Sequence, residues 1–159
     1  MTTTDVSARG RANRRRGADA ERAVAAWLRG HGWPHAERAV RTGYRTATRT
    51  SADPGDITGT PGIVWQIKDV ARPDAARWLD ETRQQRDAAG ADHGILVIRR
   101  RGTTDVGRWW TLLTTSDLLR LVHATRPGLL SAPVMMELGD VAALLHAAGY
   151  GTTPEAMAG

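Results

Sequence analysis

The sequence lacks cysteine and phenylalanine and has a single lysine. Without cysteine, disulfide bonds, thiolate catalysis and cysteine-ligated zinc sites are excluded. No apolar run approaches the roughly 18–20 residues that a membrane-spanning helix needs. The N-terminal residues are polar and arginine-rich, unlike a secretory signal peptide. We therefore expect a protein of the cytoplasm with no membrane partner.

The composition favours one folded domain with a phosphate-bearing partner. The 159 residues fit one domain, and a composition of 41% hydrophobic and 25% charged residues predicts a folded core rather than a disordered chain. The net charge of +5 and the pI of about 10.8 suit a nucleic acid. A bias towards Ala, Arg and Gly explains part of the arginine content. It does not explain why arginines cluster before the first predicted helix and again at positions 99–101.

The lone lysine, Lys68, lies inside a hydrophobic segment. Every other basic residue apart from histidine is arginine, so lysine at this position stands out from the arginine that the chain uses elsewhere. A lysine ammonium is a compact charge on a flexible stem, and a planar guanidinium does not replace it at a phosphoryl group. The neighbours of Lys68 therefore decide whether the residue has a chemical role.

Hydrophobic periodicity divides the chain into three parts. We predict a flexible basic arm over residues 1–16, a single domain over 17–150 and a polar tail over 151–159. Within the domain the patterns predict helices over 17–30, 73–89, 115–123 and 138–148, and strands over 35–41, 56–58, 63–68, 93–98 and 109–113. Residues 42–55 are predicted to be a mobile loop. This order indicates an α/β fold with a mixed central β-sheet flanked by α-helices.

A carboxylate, an amide and an ammonium are predicted to meet on one face of this sheet. We expect the turn at residues 59–62 to join two strands as a hairpin. Side chains alternate along a strand, so Gln66 and Lys68 share one face, and Asp56 on the preceding strand reaches the same face. Asp69 falls on the opposite face.

This set of side chains suits hydrolysis of a phosphodiester. Mg²⁺ commonly takes one or two carboxylates, waters and a substrate phosphate as ligands. A bound metal ion polarises the phosphoryl group and activates water, and a nearby cation stabilises the developing negative charge. We predict Asp56 as the main ligand, Gln66 as an oxygen ligand and Lys68 as the stabilising cation.

The pattern resembles the PD-(D/E)xK nuclease signature, in which an Asp is followed by an acidic residue, a spacer and Lys. The stretch Arg16-Gly17-Ala18-Asp19-Ala20-Glu21-Arg22-Ala23-Val24 resembles the opening helix of archaeal-type Holliday junction resolvases. Glu21 matches the metal-site glutamate of that family, and Gly55-Asp56-Ile57 through Lys68-Asp69 matches its later motifs in order. The likeness covers about residues 14–100.

The resemblance implies a restriction-endonuclease-like fold, with Glu21, Asp56, Gln66 and Lys68 as the catalytic set. It further implies Mg²⁺ as cofactor (with Mn²⁺ as an alternative), a homodimer, and a four-way DNA junction as substrate.

Gln66 departs from this family, which usually has Glu at that position. Loss of this carboxylate removes a negative charge from the metal site. Two alternatives therefore stay open: another nuclease of the superfamily acting on duplex or flapped DNA, and a non-catalytic DNA-binding protein on the same fold. Simpler roles also remain open, since Glu21 could complement a helix dipole and Gln66 could satisfy buried hydrogen bonds.

Arginines outside the catalytic set are predicted to bind the DNA backbone. They lie in two groups, and contacts with phosphates would make the affinity strongly salt-dependent. The alternative is that both segments are simply solvated. The candidates are Arg14, Arg15 and Arg16 in the arm and Arg41, Arg45 and Arg49 in the loop.

Overall fold

A computed structural model describes residues 3–40, 55–123 and 130–152, with the backbone alone for residues 3–9. Over these residues the chain forms an α/β fold. The helices are α1 (Thr3–Arg29), α2 (Ala75–Ala89), α3 (Thr115–Leu121) and α4 (Leu138–Ala147). The strands are β1 (Glu37–Arg38), β2 (Ile57–Thr58), β3 (Ile63–Lys68), β4 (His93–Ile98), β5 (Trp110–Thr114) and β6 (Pro133–Glu137), and a short 3-10 helix spans Val106–Arg108. None of the helices described here has the length and apolarity needed to cross a membrane.

The four longer strands form a mixed sheet in the order β3-β4-β5-β6. β3 and β4 are parallel with Lys68 opposite Ile98, whereas β4–β5 and β5–β6 are antiparallel. The mixed sheet predicted from the sequence is therefore confirmed. Because β3 and β4 are parallel, their carboxyl ends meet at one edge of the sheet, where the Arg99 amide donates to the Lys68 carbonyl at 2.9 Å.

Helices cover both faces of the sheet and enclose two cores. On one face, α1 and α4 pack against Trp65, Ile95 and Leu113. On the other face, Trp78 and Leu79 of α2 pack against residues that include Leu96, Ile98 and Leu112. The consecutive residues Trp109 and Trp110 join different cores, as predicted for neighbours on a strand.

The predicted hairpin is wrong. β2 pairs with β1 in an antiparallel arrangement, and the residue before Asp56, Gly55, forms a parallel bridge with Trp65 of β3. Gly59 explains this path, since it adopts a positive φ of 77° and a Cβ there would lie 1.8 Å from the His35 carbonyl oxygen. The chain thus turns tightly against the segment leading into β1, which the local Gly-Thr-Pro-Gly pattern did not reveal.

Other boundaries also differ from the prediction. α1 begins at Thr3, so residues 3–16 extend the first helix rather than form an arm without regular structure. This stretch contains five arginines, which favour helix even without an apolar stripe, and residues 11–16 are all exposed. β6 was missed because its first residue is proline and its apolar residues Val134, Met135 and Met136 are consecutive, so the alternation of its burial is not visible in the sequence. The strand predicted over 35–41 is only two residues long within the described residues.

α2 spans nearly the predicted residues and ends at Gly90, whose left-handed conformation caps the helix. Its buried residues are Trp78, Leu79 and Thr82, whereas the small apolar residues Ala76 and Ala88 are exposed. α2 approaches β4 closely at Gly94, where a Cβ would meet the Thr82 carbonyl at 3.1 Å. This approach brings Thr82 against the polar face of β3.

Candidate active site

A cleft of about 620 Å³ opens between α1, α2 and the outer edge of β3. All four residues predicted to be catalytic line it, although they are separated by up to 47 positions in the sequence. They are Glu21 from α1, Asp56 from the segment before β2, and Gln66 and Lys68 from β3. The fold therefore brings the predicted set into one cavity.

Glu21 lies one helical turn beyond Gly17 and two turns beyond Arg14, and all three residues line the cleft. Its carboxylate forms an ion pair with Arg38 of β1, which also lines the cleft. The Glu21 side chain is only 18% exposed. A partly buried charge is costly without a partner, so Arg38 is the residue that makes a carboxylate tolerable at this position.

Asp56 is held by the backbone of the neighbouring strand. Its amide donates to the Trp65 carbonyl at 2.8 Å, and its Oδ2 accepts from the Ile67 amide at 2.7 Å. β3 is the outermost strand of its sheet, and these two bonds pair with backbone groups that no neighbouring strand of the sheet reaches. They fix the carboxylate beside Gln66 and Lys68 more firmly than a side-chain contact would.

The Gln66 amide fits its surroundings in one of two orientations. With Oε1 towards α2, this oxygen competes for the Thr82 hydroxyl proton, which already bonds to the Trp78 carbonyl at 2.7 Å. In the reversed orientation Nε2 donates to Thr82 Oγ1 at 2.8 Å and to the Trp78 carbonyl at 2.9 Å, while Oε1 accepts from Lys68 Nζ at 3.3 Å. We assign the reversed orientation because a hydroxyl has only one proton to donate.

In the first orientation Gln66 Nε2 donates to Glu81 Oε2 at 3.4 Å, and the reversal gives up this long bond. The Gln66 oxygen then takes that place in the cleft and accepts from Lys68 Nζ. An amide oxygen and a carboxylate placed in this way are donors of the kind that a hard cation prefers.

Lys68 extends from the same face of β3 as Gln66, as the alternation predicts. Its ammonium contacts the Gln66 oxygen and lies 5.6 Å from the centroid of the Trp78 ring. Neither contact carries a full negative charge. Among the described residues Lys68 has no ion-pair partner, so its positive charge can act on an anion that enters the cleft.

Besides Arg38, the sequence analysis missed two polar residues of the cleft, Glu81 and Gln85. They lie four positions apart on α2, so they share one face of that helix. Gln85 Oε1 is buried and has no hydrogen-bond partner among the described residues. The only signal in the sequence was this i, i+4 spacing, which does not indicate which strand the helix faces.

The acidic residues of the cleft are not tightly grouped. In the part of the chain that the structure describes, no three acidic or histidine side chains come together as a ready metal site. Mg²⁺ needs only one or two protein carboxylates, and the cleft supplies three carboxylates, the Gln66 oxygen and the unpartnered Gln85 oxygen. The chemistry of the donors therefore fits a hard cation completed by water and substrate.

The structure describes only some of the arginines that are predicted to bind DNA. Arg14 lines the cleft, and Arg15 and Arg16 follow it as exposed residues of α1. Arg41, Arg45 and Arg49 lie outside the described residues, so their prediction has no structural counterpart.

A second polar cluster occupies the opposite end of β4 and lines no part of this cleft. Burial lowers the pKa of His93, more than Asp117 raises it. Tyr150 packs edge-on against His93 and donates to Asp92 at 2.9 Å. Burial and this hydrogen bond raise the pKa of Tyr150. These contacts connect the C-terminal segment to the sheet.

Comparisons with known proteins do not identify a relative. No protein-family model, no curated protein and no solved structure matches the chain. The functional argument therefore depends on the cleft itself.

Proposed function

We propose that the protein is a metal-dependent endodeoxyribonuclease with a restriction-endonuclease-like fold. One observation carries the proposal: Glu21, Asp56, Gln66 and Lys68, predicted from sequence motifs alone, line a single cleft with Glu81. A structural role for each residue separately would not require this convergence.

Mg²⁺, or Mn²⁺ in its place, is the cofactor that this donor set suits. Asp56, with one of the two glutamates Glu21 and Glu81, would supply the carboxylate ligands, since no three acidic side chains come together among the described residues. Gln66 would supply its amide oxygen. When bound, such an ion provides Lewis-acid polarisation of the phosphoryl group and a more acidic water. Glu81 also compensates for the charge that Gln66 lacks, since its Oε2 lies 3.4 Å from the Gln66 amide.

The chain's own residues account for orientation and charge. Thr82 and Trp78 fix the Gln66 amide, and its oxygen in turn directs the Lys68 ammonium into the cleft. Lys68 then faces the negative charge that develops on the attacked phosphate, where a positioned cation is most effective. Ile67 keeps Asp56 in register with both residues.

The proposed substrate is DNA, with a four-way junction as the preferred form. The chain's net charge of +5 and the exposed arginines of α1 beside the cleft favour a polyanion. Cutting opposing strands symmetrically calls for two active sites related by a two-fold axis, so we propose a homodimer. Another nuclease of the superfamily, acting on duplex or flapped DNA, would use the same site.

A non-catalytic DNA-binding protein is the second candidate. It is favoured by the lack of a tight group of acidic or histidine side chains among the described residues. The two candidates agree on DNA binding and differ only in cleavage.

Cleavage of a labelled four-way junction and a linear duplex of matched sequence, each with Mg²⁺, tests the proposal. We expect paired nicks in the junction by the wild type. Asp56→Asn and Lys68→Ala should each lose at least about a hundredfold in rate. Arg22→Gln is the control, because Arg22 is an exposed residue of α1 that pairs only locally with Asp19.

The outcomes separate the candidates. Cleavage of the duplex alone would assign the site to a different substrate. Tight binding without cleavage in Mg²⁺ or Mn²⁺ would overturn the nuclease and leave the DNA-binding protein. Full activity of Lys68→Ala would contradict the proposed site even if the wild type cuts.

A further inference from the structure

Three consecutive arginines, Arg99, Arg100 and Arg101, follow β4 at the edge of the sheet where β3 also ends. With Gly102, Thr103 and Thr104 they line an open cleft of about 540 Å³, separate from the candidate active site. We call residues 99–104 the arginine loop.

The arginine loop is held in place by a buried carboxylate. Asp69 accepts from Arg99 at 2.9 Å and from Arg101 at 2.6 Å, and its side chain is fully buried. One carboxylate neutralises only one of the two guanidiniums. The pair therefore keeps an uncompensated positive charge, and Arg101 remains 57% exposed.

Arg100 is held separately. It pairs with Glu137 at 2.7 Å and stacks over the Trp110 ring at 4.2 Å. Trp110 packs into the core on the α2 side of the sheet, the side on which Lys68 lies. Arg100 and Lys68 thus flank the same end of two adjacent strands.

The arginine loop is next to the proposed catalytic lysine along the backbone. Arg99 N–H donates to the carbonyl of Lys68 at 2.9 Å, and Asp69 directly follows Lys68. A rigid arrangement of guanidiniums loses little conformational entropy when it binds an anion. Exposed arginines without such anchors would lose more.

We propose that the arginine loop binds the phosphodiester backbone of the same DNA whose scissile phosphate enters the active-site cleft. This inference rests on the proposed function. Asp69 acts as the positioning residue, and Arg100 and Arg101 contact phosphate oxygens next to the phosphate that faces Lys68. The contacts are with the backbone and carry no sequence information.

Salt-dependent DNA binding without divalent cations tests this proposal, because binding is then measured without cleavage. Each lost phosphate contact should reduce the slope of log affinity against log salt by about 1. We expect this reduction for Arg101→Gln and for Arg100→Gln, and about twice the reduction for the double variant.

Arg120→Gln is the matched control. Arg120 is 47% exposed and also lies near a buried aspartate, Asp117 at 3.6 Å, but at the other end of β4. Its slope should equal that of the wild type. Thermal unfolding of each variant checks that the fold persists, and Arg100→Gln leaves both partners of Asp69 intact.

Unchanged slopes for both arginine variants would overturn the arginine loop as a DNA contact, as would an equal reduction in Arg120→Gln. Neither result affects the nuclease proposal, which depends on cleavage by the wild type. Conversely, reduced slopes with no cleavage in Mg²⁺ would support the arginine loop and overturn the nuclease.

Discussion

The six residues of β3 point alternately to two faces of the strand, and these faces differ in chemistry. On one face, Ile63, Trp65 and Ile67 are buried among the side chains of α1 and α4. On the other, Gln66 and Lys68 line an open cleft with carboxylates from three other segments. Packing of the apolar face stabilises the strand in the fold. The polar face can therefore have side chains, such as Lys68, that add little to stability. The comparison predicts that substitutions on the two faces affect different properties.

The largest expected effect is the separation of stability from activity. Trp65→Ala removes a fully buried ring and should lower the free energy of unfolding by about 3–5 kcal/mol. Lys68→Met keeps the stem of the side chain, so its stability should change by no more than about 0.5 kcal/mol, while cleavage falls about 10²–10³-fold. The measurements are denaturant unfolding and junction cleavage on both variants. A large loss of stability in Lys68→Met would contradict the comparison of the two faces.

A smaller effect is expected from exchanging charge between Gln66 and Glu81. Glu81→Gln should weaken Mg²⁺ binding about tenfold, because one carboxylate leaves the cleft. The double variant Gln66→Glu/Glu81→Gln should recover only part of this loss: the total charge is unchanged, but a carboxylate at position 66 cannot donate to the Trp78 carbonyl as the Gln66 amide does. The readouts are the Mg²⁺ concentration for half-maximal cleavage and the rise in melting temperature with Mg²⁺.

Asp80→Asn controls for this exchange. Asp80 is the neighbouring acidic residue on α2, but it is 68% exposed and pairs with Arg83. Its Mg²⁺ dependence should match that of the wild type. If Asp80→Asn and Glu81→Gln behaved alike, the cleft would have no particular role in binding the metal ion.

The smallest effect concerns His93, the titratable group that begins β4 opposite Ile63. Burial holds its pKa below the usual 6.5, so below that pH the unfolded chain binds a proton that the folded chain does not. The free energy of unfolding should therefore fall as pH decreases from about 6.5 towards the folded-state pKa. Urea unfolding at several pH values should show a shallower dependence for His93→Gln than for the wild type. A dependence as steep in His93→Gln as in the wild type would contradict this account.

Sequence patterns predicted the elements whose burial is periodic or continuous. β4 was recovered with its exact bounds because its residues are apolar and flanked by turn residues, and α4 because its amphipathic spacing is regular. The shared face of Gln66 and Lys68 was accessible because strand alternation is local. Asp56 was placed beside them through a hairpin that does not form, and the parallel bridge of Gly55 to Trp65 brings it there instead. Glu81 was not, because the angle at which α2 crosses the sheet depends on the close approach at Gly94. β6 and the pairing of β1 with β2 depend on contacts between distant segments, which local propensity does not encode.

The bridge between Gly55 and Trp65 has a consequence for solubility. An uncovered outer strand presents unpaired amide and carbonyl groups on which a second chain can assemble. At β3 the Gly55–Asp56 segment occupies this position, and the Asp56 carboxylate itself takes the Ile67 amide. Asp56, the residue proposed to act on the substrate, therefore also occupies a backbone amide at the edge of β3 that could otherwise pair with a second chain. This position therefore has two roles, one in the proposed active site and one at the edge of the sheet. A homologue without activity should still have an acidic or other hydrogen-bonding side chain there.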